Sequence, residues 1–160
     1  MELAIGTGWS DVVAYGETLK QDAAAGGFNI TLNTMPNSQY WDLWTEVDLG
    51  ITPWTHRVPG TFVLSLAYIC GENGEPVPWN ETRWCDDEYT ELLDEANRTL
   101  DLEERRAVME KLELIQQDRG SIVNSYWFTT SDIMNNKFQN VEPHPTDYHL
   151  WNQLWKDEEA

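Results

Sequence analysis

The residue types that catalyse reactions are present in this sequence, but the spacings that catalysis requires are not. Cys70 and Cys85 are too far apart for the Cys-x-x-Cys arrangement of redox and zinc sites. No nucleophile elbow, His-Glu-x-x-His motif, Walker loop or glycine-rich dinucleotide motif occurs. The acidic run at residues 86–88 lacks the alternating acids of a calcium loop, and negative charge at the start of a helix explains it better. The sequence therefore predicts a protein that is not an enzyme and has no cofactor.

Two histidines near the carboxyl end raise the alternative of a metal site. His144 and His149 lie in a proline-containing segment beside Asp147. Loop histidines without cysteine partners are usually solvated rather than bound to a metal ion. We therefore predict that this segment holds no metal.

The nine tryptophans are an unusual number for 160 residues. Their large, rigid rings suit sites for carbohydrates or peptides, and they also fill hydrophobic cores. We expect the majority of the nine to belong to the core.

The sequence is strongly acidic, with 28 acidic and 10 basic residues and a net charge of −18. Nucleic acid is excluded as a partner, because binding it requires a positive surface that displaces counterions from phosphate. Docking on anionic lipid is disfavoured for the same reason. We interpret the charge as a solvated surface that keeps a secreted protein soluble.

The chain is long enough for one domain with a substantial core, since 41% of its residues are hydrophobic. Its longest apolar stretch, residues 62–70, falls well short of the roughly 18–20 residues that cross a bilayer. The first residues carry neither the basic nor the hydrophobic segment of a signal peptide. Two interpretations stay open: a cytosolic protein, or a segment cut from a longer precursor.

The hydrophobic pattern of the first 35 residues predicts a β-α-β unit. Residues 3–6 are typical of a strand, and Ser10 or Asp11 can begin a helix that ends at Gly26. Residues 28–35 alternate between apolar and polar, as a half-buried strand does. The apolar positions of the helix share one face: Val12, Tyr15, Leu19 and Ala23.

The middle of the chain predicts shorter elements. Residues 36–46 indicate a short aromatic-bearing helix, and residues 49–54 indicate a strand. Residues 62–70 form either a helix or a strand, because periodicity does not decide between them. Glycine and prolines make residues 72–80 a loop.

The last predicted elements are the strongest helices. One spans residues 86–96, and a second begins at Asp101, which with Glu104 forms a capping box, and ends at Gly120. Residues 121–128 are predicted as a strand. This order of strands and helices favours the α/β or α+β class.

From about residue 11 to residue 128, and more weakly to 155, the sequence resembles the C-terminal lobe of family 5 extracellular solute-binding proteins. These are the dipeptide, oligopeptide and nickel binding components of bacterial ABC importers. The order and spacing of four features carry the likeness: helix 12–26 with strand 28–35, Gln39-Tyr40-Trp41-Asp42, a strand ending in Trp54, and the two helices at 86–96 and after Asp101.

The resemblance implies an α/β fold that is one lobe of a two-lobed, type II periplasmic-binding-protein architecture, with a central mixed sheet flanked by helices. Residues 1–160 would be this single C-terminal lobe, and a signal peptide and an N-terminal lobe would belong to a larger protein. The implied function is to capture a small solute in the periplasm and deliver it to the permease subunits. The solute is peptide-like or of another small kind, and in one interpretation it is anionic. Two alternatives stay open: a fragment of a carbohydrate-active enzyme, and a protein-interaction module.

The resemblance also assigns ligand-binding residues by position. Three follow the strand that ends at the cleft, and three lie in the loop before the helix at 86–96: Trp54, His56 and Arg57, and Trp79, Asn80 and Arg83. Peptide-binding relatives carry an acidic turn after the tryptophan, whereas residues 55–60 here contain no acid. Arg57 stands near the place of the missing acid, so we expect it to meet an anionic group of the ligand.

An extracytoplasmic location bears on Cys70 and Cys85. In an oxidising compartment the two cysteines can form a disulfide bond, and the alternative is a pair of buried free thiols. We predict the disulfide, which would hold the proline-rich loop that presents Trp79 and Asn80.

Overall fold

The amino-terminal part of the chain folds into the predicted β-α-β unit. The structure is a computed structural model that describes residues 1–127, 129, 131–144, 146 and 148–157. Strand β1 (Glu2–Gly6) pairs in parallel with β2 (Thr31–Met35), and helix α1 (Ser10–Ala25) connects the two strands. The α/β class is therefore confirmed, in the form of small sheets with helices packed on them.

The apolar side chains of β1 and α1 form the first part of the core. Leu3 and Ile5 are fully buried, and Val12 of α1 packs against them. Tyr15, on the same predicted face, makes a different contact, because its hydroxyl lies 2.6 Å from the Ser125 hydroxyl. This bond ties α1 to the carboxyl-terminal part of the chain.

The predicted strand at residues 49–54 is reduced to one short extended segment. Gly50 forms a parallel bridge with Ala4 of β1, and the Ala4 N–H donates to the Leu49 carbonyl at 2.9 Å. Pairing does not continue because Pro53 has no N–H to donate. Segment 49–51 nevertheless runs beside β1, on the side away from β2, so three parallel chain segments lie next to one another.

The second part of the core is helical. Helix α3 (Thr61–Ala67) shows that the undecided stretch is a helix, and it packs on α4 (Asp87–Arg98), which pairs with α5 (Leu102–Arg119). The largest buried side chains between these helices are apolar or tyrosine: Tyr68, Tyr89, Leu93, Val108, Leu112 and Ile115.

Both predicted helix starts are confirmed by hydrogen bonds. Asp86 accepts from the Tyr89 N–H at 2.8 Å, at the start of α4. Asp101 accepts from the N–H groups of Glu103 and Glu104 at 2.9 and 3.0 Å, at the start of α5. Each aspartate satisfies amide donors that have no partner within the helix.

Asp86 also binds Arg119 at the end of α5, and we expect its loss to destabilise the fold. The Arg119 Nε lies 2.7 Å from the Asp86 carboxylate, and this hydrogen bond lowers the pKa of Asp86. Asp86→Ala should lower the free energy of unfolding, measured in urea, by about 1–2 kcal/mol through loss of the cap. The stability that the lowered pKa contributes is present above the ordinary carboxyl pKa and is lost as pH falls through the folded-state pKa.

Glu88 is the matched control, because it binds the same arginine at 2.6 Å but caps nothing and is largely exposed. Glu88→Ala should cost less than half as much, as is usual for an exposed ion pair. Equal losses in the two variants would contradict the capping role of Asp86.

The predicted strand at residues 121–128 is wrong for residues 121–127, and Phe128 lies outside the described residues. A strand requires pairing with a neighbouring chain segment, and no strand pairing among the described residues includes residues 121–127. The described part of the carboxyl-terminal segment instead contains a short antiparallel pair, β3 (Phe138–Gln139) with β4 (Trp155–Lys156).

The expectation that most tryptophans are in the core is also wrong. All nine are described, and none is among the buried residues, whereas Tyr40, Tyr68 and Tyr89 are each at most 5% exposed. The core is built from aliphatic side chains and tyrosines. The tryptophans therefore lie at or near the surface, where they can contact something else.

Within the described ranges, no helix is both long enough and apolar enough to span a membrane. The longest, α5, has 18 residues, and its sequence is rich in charged side chains.

Candidate functional site

Five tryptophans lie together beyond the carboxyl ends of the three parallel segments. We call them the Trp surface, and their rings form a connected set through contacts of 5.4–6.4 Å between centroids: Trp9, Trp41, Trp44, Trp54 and Trp79. Three of them, Trp9, Trp41 and Trp79, are 38–46% exposed, and the other two are half-buried. Such a continuous area of indole rings can contact apolar, aromatic or cationic groups.

The topology explains why these rings meet. Trp9 follows the end of β1, and Trp54 follows segment 49–51. Helix α2 (Asn37–Leu43) begins just after β2 and carries Trp41, with Trp44 at its end. Parallel segments end at the same edge of a sheet, so the residues after each of them lie close together.

Tyr40 fixes α2 beneath the Trp surface. Its ring is buried, contacts the Trp41 ring at 5.4 Å, and its hydroxyl lies 2.9 Å from the Thr52 hydroxyl. Burial raises the pKa of Tyr40, so its hydroxyl stays neutral. The α2 helix and the segment leading to Trp54 are thereby held in one arrangement.

The fifth tryptophan comes from a loop closed by a disulfide bond. Cys70 and Cys85 are bonded, with their Cα atoms 5.4 Å apart, and Trp79 lies between them in the chain. The Trp79 ring contacts both Trp44 and Trp54, at 6.4 and 6.0 Å. The closed loop therefore carries one part of the Trp surface.

Glu81 lies behind Trp54 and links the loop to the rest of the site. One carboxylate oxygen accepts the Trp54 indole N–H at 3.4 Å, and the other accepts the Thr52 hydroxyl. Burial raises the pKa of the Glu81 carboxyl, and these two hydrogen bonds oppose the shift. The result is a chain of contacts from Tyr40 through Thr52 and Glu81 to Trp54.

Comparisons of the sequence alone give no relative: no protein-family model matches it, and no curated protein does. Comparison of the fold with solved structures does give matches. CtaP, an ABC transporter substrate-binding protein from Listeria monocytogenes, matches 99% of this chain with a TM-score of 0.73 and 13% identity. The chain has the fold of one part of a substrate-binding protein.

Two further solved structures agree with this result. HbpA2 from Haemophilus parasuis matches 97% of the chain with a TM-score of 0.70 and 18% identity. AppA from Clostridium difficile, provisionally described as a peptide-binding protein, matches 98% with a TM-score of 0.72 and 13% identity. The chain spans about a third of the length of the substrate-binding proteins it matches, 31–33%.

The structure brings together only some of the residues assigned from the sequence. Trp54 and Trp79 are in contact within the Trp surface of this substrate-binding-protein fold. His56 and Arg57 lie in the exposed segment after Trp54, and the Arg57 guanidinium donates to groups of Thr55 and His56. Among the described residues, Arg57 makes no ion pair with an acid.

Asn80 and Arg83 hold the loop in place. Asn80 is 2% exposed, and its amide nitrogen donates to the carbonyls of Ile69 and Trp84 at 3.0 and 2.8 Å. The Arg83 guanidinium donates to the Thr45 carbonyl at 2.7 Å, in the chain just after α2. We therefore interpret both as structural residues that support the Trp surface.

The two histidines of the alternative metal site lie in the carboxyl-terminal segment. His144 Nδ1 lies 2.7 Å from the Thr146 hydroxyl, and His149 lies 4.0 Å from Asp132. Asp147 is outside the described residues. Within the described ranges, no three potential metal-binding side chains come together.

The sequence did not identify Glu81 or the full set of rings. A signal for Trp41 and Trp44 exists, since residues three apart on a helix just after a strand share a face at the sheet edge. No comparable signal marks Glu81, because it is one of 28 acidic residues.

Proposed function

We propose that this chain is the C-terminal, ligand-binding lobe of an extracytoplasmic substrate-binding protein that delivers a peptide-like solute to an ABC importer. Residues 1–160 form this lobe, a preceding N-terminal lobe supplies the opposite wall of the cleft, and the permease subunits receive the loaded protein. The periplasm is its place of action. The substrate-binding-protein fold supports this proposal.

The observation that carries the proposal is the position of the Trp surface. Ligands of open α/β sheets bind beyond the carboxyl ends of the strands, and the tryptophans lie just past the ends of three parallel segments. Half-exposed rings in such a place leave apolar surface in contact with water until a solute or the opposite wall covers it. Because this chain supplies only one wall, we expect it to bind its solute weakly on its own.

The charge of Arg57 indicates that the solute carries an anionic group. The ring of Trp54 indicates that the solute also has an apolar or flat part. The guanidinium is exposed and its described partners are all neutral, so its charge is free to attract a carboxylate. A guanidinium binds a carboxylate through two parallel hydrogen bonds. A peptide that ends in a free carboxylate has both features.

We expect Arg57→Ala to weaken the binding of peptides with a free carboxyl end about tenfold or more, as loss of a hydrogen bond to a charged group does. The same peptides with an amidated end should bind the variant and the wild type equally. Arg106→Ala is the matched control, because Arg106 is an exposed arginine whose partner is Glu103, at 2.7 Å. Calorimetric titration with both peptide forms measures the effect. An equal loss for acid and amide would contradict the role of Arg57, and no binding of either by the two-lobed protein that contains this chain would contradict the proposed function.

A further inference from the structure

Glu81 is a largely buried carboxylate for which the described residues provide no cation. None of the ion pairs among the described residues includes it. The nearest arginine in sequence, Arg83, directs its guanidinium to the carbonyls of Thr45 and Val47 and toward Asp48 instead. Burying a charge without a counter-charge is costly, so a protein keeps such a group where something else provides the counter-charge.

Trp54, whose indole N–H donates to this carboxylate, belongs to a group of three rings in mutual contact. The centroids of Trp44, Trp54 and Trp79 form a triangle with sides of 6.0–6.4 Å, and their planes are inclined to one another by 46–68°. A cation over the centre of a triangle of this size lies within about 6 Å of all three centroids, the range of cation–π attraction. Trp79 is 46% exposed, so this corner opens to solvent.

We propose that the corner formed by Trp44, Trp54, Trp79 and Glu81 binds a cationic group of the solute, and that this group is an alkylated ammonium ion. The inference rests on the proposed function and adds the chemical class of the solute. The net charge of −18 favours the approach of a cation.

The aromatic surroundings favour the alkylated form. Each carboxylate oxygen already accepts one hydrogen bond, from Thr52 and from Trp54, and the carboxylate adds a negative charge beside the Trp54 ring. A primary ammonium would leave water, where its three donors are satisfied, for a corner made mostly of indole rings. A quaternary ammonium has no donor to satisfy and gains the ring contacts at no such cost.

Protonation of Glu81 should therefore control the binding. The other titratable groups that interact with it are the Tyr40 and Tyr68 hydroxyls, whose pKa values are themselves raised by burial, so both are neutral. Only the ionised carboxylate attracts a cation, and burial raises its pKa. Affinity for a cation is expected to be full above that raised pKa and to fall as pH decreases through it.

The test compares choline with dimethylbutanol, its neutral carbon analogue, and with ethanolamine, its primary-amine analogue. Titrations followed by the indole N–H signals of the tryptophans should give choline an affinity about tenfold higher than either analogue. In Glu81→Gln, which keeps the shape and one of the two acceptor oxygens but removes the charge, choline and dimethylbutanol should bind equally. Thermal stability above the raised pKa of Glu81 should be unchanged or higher in this variant, because a buried charge without a counter-charge is removed.

Asp42→Asn is the control for net charge, because Asp42 is an exposed acid of α2, and it should keep the preference for choline. Trp79→Leu is a second test that leaves the buried core intact, and it should lower choline affinity severalfold. Equal affinity for choline and dimethylbutanol in the wild type, or a preference that survives in Glu81→Gln, would overturn the inference. If peptides with a free carboxyl end still bind in that case, the proposed function stands and only the cationic class of solute is wrong.

Discussion

Replacing both Cys70 and Cys85 with serine is expected to lower the free energy of unfolding by about 3 kcal/mol. The bond closes a loop with a sequence separation of 15, and removing it restores conformational freedom to the unfolded chain. The same change should weaken solute binding, because the loop carries Trp79 to the other rings. Urea unfolding of the variant and of the oxidised wild type measures the difference.

Reduced wild-type protein is the matched control, since it has the same sequence without the bond. Its stability should fall to nearly that of the double serine variant, which separates the loss of the bond from the change of side chains. Thiol labelling of the unfolded, unreduced protein gives a second measurement. Two reactive thiols there would contradict the disulfide.

Asn80→Ala is expected to destabilise the protein by roughly 2–4 kcal/mol, because two partly buried carbonyls lose a donor at about 1–2 kcal/mol each. The Trp84 carbonyl would lose the amide donor at 2.8 Å, and the Ile69 carbonyl would keep only the longer bond from Val77, at 3.3 Å. Since Asn80 faces the interior of the loop, its effect on solute binding should follow from the loss of folded protein alone.

Asn73→Ala is the control for this prediction, because Asn73 lies in the same loop but is exposed and accepts one bond from the Glu75 N–H, at 3.1 Å. It should cost less than about 1 kcal/mol. Urea unfolding measures the stability of both variants, and peptide titration at a temperature where both are folded measures their affinity. If Asn80→Ala lost affinity while keeping its stability, Asn80 would be a ligand-binding residue, as the sequence alone assigned it.

The parts of the fold that the sequence predicts are those decided by nearby residues. The alternation in β2, the aspartate caps at Asp86 and Asp101, and the apolar face of α1 each depend on positions within a few residues. Strands are harder to predict from sequence, because a strand exists only where another chain segment pairs with it. Segment 49–51 forms a bridge with β1, whereas no strand pairing among the described residues includes residues 121–127.

The site shows the same division. The resemblance assigns Trp54 to the ligand because it follows the strand that ends at the cleft, and in the structure Trp54 is part of the Trp surface. The contact of Trp9 with Trp41, at 6.0 Å, joins residues far apart in sequence, which composition and periodicity do not reveal. The resemblance assigns Asn80 to the ligand from the position of its loop, whereas the direction of its side chain depends on backbone carbonyls that only the folded loop brings near.

The most direct test of this account is to observe the nine indole N–H signals of the tryptophans while adding a pool of synthetic di- and tripeptides with free carboxyl ends. We expect the five signals of the Trp surface to shift together, in particular that of Trp54, whose N–H is bound by Glu81. The four tryptophans outside it, Trp84, Trp127, Trp151 and Trp155, serve as internal controls and should not move. A titration in which the five signals stay fixed, or in which only the other four shift, would contradict the assignment of the Trp surface as the binding face.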